Sequence, residues 1–180
     1  MKTYAFYGAG AALATFFLTA LIYFLGLHSD VSKLSLAGWI MTVGGLTIFI
    51  LALVLGVREV RSTADATKDY TYANAFAACF FITLFSSIFG VFTNLLYTMV
   101  VNPGFQDLIL QGQIAQMQKQ GMPQDQINAS TEMMRRFNHP AISSAMNFIA
   151  GLVIGTIISL IVAIFLKRKA GQEEQLNPLA

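Results

Sequence analysis

Charge is missing from this sequence in four long stretches. No Asp, Glu, Lys or Arg occurs over residues 3–29, 34–57, 70–106 or 137–166. Over the whole 180-residue chain charged residues reach only 11% and hydrophobic ones 56%, against about 25% and about 45–50% in soluble domains. Each uncharged stretch exceeds the roughly 18 residues that indicate a bilayer span and holds the ~20 needed to cross ~30 Å as a helix. The alternative, a soluble four-helix bundle, would need polar outer faces on its helices, and these stretches have no charged face.

Other absences narrow the function. Cysteine occurs once, at Cys79 inside the third stretch, so no intrachain disulfide and no zinc-type spacing can be built. Cys79 reads as a small packing residue. Ionisable side chains within the stretches would mark proton relays or ion sites, and their absence argues against a Na⁺- or H⁺-coupled transporter. There is no GxSxG elbow, P-loop or GxGxxG, so the chain reads as a non-enzyme with no cofactor. The net charge is +2 and its cations sit in short flanks, which points away from nucleic acid.

What is present is an all-α integral membrane protein. One domain over 1–180 has four transmembrane helices at about 4–27, 36–57, 73–101 and 141–166. The first is too long for a 7–15-residue signal core and reads as a retained helix. Four spans put both termini on one side, with Lys2, Arg58, Arg61, Lys68, Lys167, Arg168 and Lys169. The opposite side has Lys33, Lys119, Arg135 and Arg136. Seven cations against four place both termini in the cytoplasm by the positive-inside rule. Tyr4, Tyr7, Tyr70 and Tyr72 then mark the inner boundary, and Tyr23, Trp39 and Tyr97 the outer one.

The fourth span has a small or polar residue at every fourth position: Ser143, Asn147, Gly151, Gly155, Ser159 and Ala163. The third has Ser86, Gly90, Asn94 and Thr98, and also Ala75, Cys79, Thr83 and Ser87. Such faces let helices approach closely in lipid, with Asn94 and Asn147 hydrogen-bonding across the contact. The other reading is a polar path, as in a passive channel assembled from several copies.

Residues 102–140 form the one long polar insert. "NPG" at 102–104 ends the third span, a helix follows over about 105–120, and Gly121 and Pro123 break it before a second helix to about 138. This gives an extracytoplasmic helical hairpin within about 105–138, with Ile127, Met134 and Phe137 near one face as a candidate partner surface. His28, Asp30 and His139 cluster at the predicted outer boundary, but they lack the spacing of a zinc motif and read as isolated interfacial residues.

The basic "GVREVRSTADATKDYTYANAFAACF", the external "QGMPQDQINASTEMMRRFNHP" and the closing "GLVIGTIISLIVAIFLKRK" together resemble the bacterial domain-of-unknown-function family 4199. That resemblance covers nearly the whole chain and implies a small membrane protein with four helices; it transfers no functional residues. The expected role is a non-enzymatic accessory or assembly component of the cell inner membrane. Its partners would be the lipid bilayer, a membrane or extracytoplasmic protein, or a second copy of the chain.

Orientation is testable with a thiol. Gln120→Cys should react with a membrane-impermeant maleimide added to intact cells. Reaction only after lysis would reverse the topology.

Overall fold

The computed structural model describes residues 1–65, 67–137 and 140–169. Two glycines in it end helices by the same local geometry. At Gly26 (φ +71°) the Gly26 N–H donates to Tyr23 O and the Leu27 N–H to Ile22 O. At Gly121 (φ +72°) the Gly121 N–H donates to Gln118 O and the Met122 N–H to Met117 O. Both are Schellman motifs, in which a left-handed residue turns the chain back over the last carbonyls. They close α1 (Lys2–Phe24) and α4 (Phe105–Lys119). Gly121 is the expected terminator; Gly26 ends the first span three residues earlier than its apolar run implies.

The other helices are α2 (Leu34–Ser62), α3 (Tyr72–Leu96), α5 (Gln124–Phe137) and α6 (Pro140–Leu166). A 3-10 turn at Val31–Lys33 precedes α2, with the Asp30 carboxylate accepting from the Ser32 N–H at 2.8 Å. Continuing past Val57 through Arg58, Glu59 and Arg61, α2 outlasts its uncharged run, because charge forbids burial in lipid but not helix. Thr71 caps α3 by accepting from the Asn74 N–H. At its far end α3 widens into a π turn at Tyr97–Val101, closed by Asn102 N–H to Tyr97 O at 2.8 Å, and Pro103 stops it there.

Among the described residues four helical segments are long and apolar enough to cross a membrane: Lys2–Phe24, Val31–Ser62, Tyr72–Val101 and Ala141–Leu166. Their faces are sorted by size. Large apolar side chains such as Phe17, Trp39, Phe92, Ile161 and Phe165 point outward, whereas Ala11, Ala37, Ala75, Ala78 and Ala163 line the interior beside a few larger residues such as Ile22, Leu53 and Ile82. Water would favour the reverse arrangement; lipid accepts large apolar groups and leaves close packing to small ones.

The centre of the bundle is α3, which packs most extensively on α6 and α1, while α2 lies mainly against α1. The dense core sits at the end carrying the N-terminus and comprises Leu53, Val57, Tyr70, Ala75, Ala78, Cys79, Ile82, Ala163 and Leu166. That end is also clasped. Tyr70 and Arg168 exchange two backbone hydrogen bonds of 2.9 Å, and Arg61 Nη1 donates to Leu166 O. Tyr7 Oη donates to Glu59 Oε2 at 2.7 Å. The two short helices α4 and α5 pack on each other at the opposite end of the bundle.

Close approach is strictest at Gly8. A Cβ there would lie 2.6 Å from Phe85 Cβ and 2.8 Å from the Ser86 backbone nitrogen, so α1 and α3 would have to separate. At Gly10 a Cβ meets nothing within 4 Å. Gly8→Ala should therefore lower stability in detergent by about 1–3 kcal/mol, while Gly10→Ala leaves it unchanged or slightly raised, as read from thermal unfolding.

Candidate functional site

The expected small-residue stripe of α6 divides between two environments. Gly155, Ser159 and Ala163 are buried against α3, whereas Asn147 and Gly151 are exposed and Ser143 is half-buried. The cause is arithmetic. A four-residue step overshoots a 3.6-residue turn by about 40°, so Asn147 lies about 80° from Gly155 around the axis. Ser144, three turns before Gly155, deviates by only about 20° and is the buried residue at that level. Asn94 Nδ2 accordingly donates to Ser144 Oγ at 2.9 Å rather than pairing with Asn147. Lower down, Thr83 Oγ1 and Ser159 Oγ lie 3.0 Å apart and are fully buried. Each also reaches a carbonyl of its own helix, Cys79 O and Gly155 O.

In the half of the bundle towards α4 and α5 two of the cavities among the described residues lie between the long helices. One, of about 710 Å³, lies between α2, α3 and α6 and is lined by Phe49, Asn94, Asn147, Gly151 and Ile154 among others. The second, of about 430 Å³, lies between α1, α2 and α3 beneath the start of α4, with Thr19, His28, Met41 and Phe105 in its wall. Ser86, Gly90 and Asn94 line both, so the expected polar stripe of α3 forms the partition between them. Sequence reasoning picked out these residues but gave no sign of the cavities, which depend on how far α2 and α6 diverge.

A polar cluster closes the second cavity. His28 is only 6% exposed, and its Nδ1 lies 2.6 Å from Tyr97 Oη. Asn102 Nδ2 donates to the same phenolic oxygen at 3.3 Å and to His28 O at 3.5 Å. The Phe105 ring packs on both His28 and Tyr97. The π turn brings Tyr97 and Asn102 together here, joining the exit of α1 to the end of α3. Burial lowers the His28 pKa, while the Asp30 carboxyl is held low by hydrogen bonds from Ser32. His139 lies outside the described residues, and among the described residues no three His, Cys, Asp or Glu groups come together.

Over this cluster sits the α4–α5 pair. α4 rests on the first loop and the start of α2, where Gly112 leaves room for Leu34: a Cβ would lie 2.9 Å from Leu34 Cδ1. Leu110 and Ile127 are the buried residues of the two helices. Ile127 thus faces inward. Met134 is half-buried, and Phe137 is exposed together with Met133, which the sequence reading had not singled out.

Four candidate spans with a helical cap define a multi-pass membrane protein. The chain belongs to the family described as Protein of unknown function (DUF4199), which matches residues 3–168. No curated protein and no solved structure matches it.

The cluster predicts a pH dependence. A folded-state pKa below the unfolded value near 6.5 means that the unfolded chain takes up the proton first. The His28 contribution is therefore complete above about pH 6.5 and falls as the pH drops from there towards the folded value. Between pH 7.5 and pH 5 the thermal midpoint in detergent should fall further for the parent than for His28→Gln.

Proposed function

We propose that this protein is a non-enzymatic accessory or assembly component of the cell inner membrane, with both termini in the cytoplasm, that presents the α4–α5 hairpin outside to a protein partner. The observation that carries this reading is the free edge of α5. Met133 and Phe137, one turn apart, are 61% and 52% exposed although Ile127 of the same helix is buried. Two exposed apolar anchors beside Arg135 and Arg136 suit a partner surface that offers an apolar pocket rimmed by carboxylates. The seven-to-four distribution of cations supports the orientation.

A passive channel formed by oligomerisation draws less support. Of the two amides expected to line it, Asn94 is already engaged by Ser144 of the same chain. The accessory reading is tested with a photo-crosslinking amino acid at position 137 in living cells. One discrete protein adduct is expected, reduced about tenfold by Met133→Glu, as for the loss of a residue worth about 1.4 kcal/mol. Adducts with lipid alone, or an adduct unaffected by Met133→Glu, would remove the hairpin as a docking surface.

A further inference from the structure

The 710 Å³ cavity between α2, α3 and α6 is a lateral cleft. Its walls come from α2 (Thr42, Gly45, Leu46, Phe49) and α6 (Asn147 to Ile158), and its floor from α3 between Ser86 and Asn94. At the closed end α2 and α6 meet: Phe49 Cζ lies 3.1 Å from where a Gly155 Cβ would be. All of these residues belong to segments apolar and long enough to cross a membrane, and none of the lining side chains is charged. Whatever fills the cleft must therefore come from hydrocarbon.

Three features of the cleft specify its occupant. The first is polarity: the amides of Asn94 and Asn147 lie towards the hairpin end, while the deeper part has Phe49, Ile154 and Ile158 with only the hydroxyls of Ser86 and Ser87 among them. Length is the second. From Asn147 to Ile158 the α6 wall rises about 16 Å, about half of the ~30 Å hydrocarbon core and hence the depth of one leaflet. The third is the open floor. A Cβ on Gly45 or Gly90 would meet nothing within 4 Å, so helix packing gives no reason for the missing side chains, whereas the width of the cleft does.

The amides add a chemical requirement. Asn94 uses one N–H on Ser144, and Asn147 has no side-chain hydrogen bond among the described residues. Amide groups facing hydrocarbon are costly without a partner. An ester carbonyl at the head of an acyl chain would accept from them at the depth where they lie. We propose that the cleft between α2 and α6 binds one acyl chain of a membrane glycerophospholipid, running along α3 with its ester end at Asn94 and Asn147. This site is independent of the hairpin reading.

The test uses the full chain in nanodiscs containing phosphatidylcholine with a diazirine on one acyl chain. After irradiation, label should concentrate on residues 86–94 and 147–158 relative to the outward residues Ile161 and Phe165. Gly45→Leu with Gly90→Leu, at positions where a Cβ meets nothing within 4 Å, puts side chains into the cleft and should reduce labelling of the cleft residues about tenfold, equivalent to about 1.4 kcal/mol, while the outward residues keep theirs. Asn147→Leu leaves the floor open and should shift the labelled positions along α6, which keeps the test decisive if the double variant does not fold. Equal labelling of cleft and outward face in the parent would mean ordinary surrounding lipid only and would overturn the proposal. So would native mass spectra of the unlabelled parent in which a second copy, released by Gly45→Leu, occupies the cleft.

Discussion

The fold depends on how closely α3 approaches its two neighbours. In lipid, helices gain little from hiding apolar surface, so what holds them is dispersion between atoms in contact, plus the few hydrogen bonds that cross. Here Ala75, Ala78, Cys79 and Thr83 supply the contact surface of α3, and Gly155, Ser159 and Ala163 supply that of α6. The pair Thr83–Ser159 has two hydroxyl protons for three short contacts, so one hydroxyl bridges the helices while the other bonds back to its own helix. Gly8 brings α1 equally close on the other side.

Tight contact at one end has a geometric result at the other. Away from the closely packed end, cavities rather than larger side chains fill part of the space between the helices. The Asn94–Ser144 hydrogen bond is one strut across the wider half. The polar insert and the His28–Tyr97–Asn102 cluster lie over that same half. The bundle is therefore firm where its ends are clasped and more loosely built beneath the cap, the distribution expected when function is drawn from the less stable part of a structure.

Much of this fold was legible in the residues. Uncharged runs located all the spans because a charge in hydrocarbon is too costly to escape notice in a sequence. Gly121 and Pro123 placed the break in the insert. Gly26 was passed over, since a glycine inside an apolar run looks like any small membrane residue until its φ is known. The π turn was hidden for a similar reason, as its residues "YTMVV" continue an ordinary apolar pattern. The candidate stripes are visible in the sequence as faces that drift slowly around the axis, but the size of the drift at Asn147 is not. Their drift around the axis moved Asn147 off the contact and put Ser144 in its place, and helix divergence, which no local pattern encodes, created the cleft beside it.

The bridge between Tyr70 and Arg168 also sets an order of events. Tyr70 precedes α3, whereas Arg168 follows α6, so nearly a hundred residues separate two groups that share a pair of backbone bonds. During synthesis the main-chain groups of Tyr70 must stay solvated at the membrane edge until the last span has been made and inserted. Only a chain that has threaded every helix in register can bring Arg168 back to meet them. The clasp therefore closes last, and until it does the main chain before α3 lacks that tether to the end of α6.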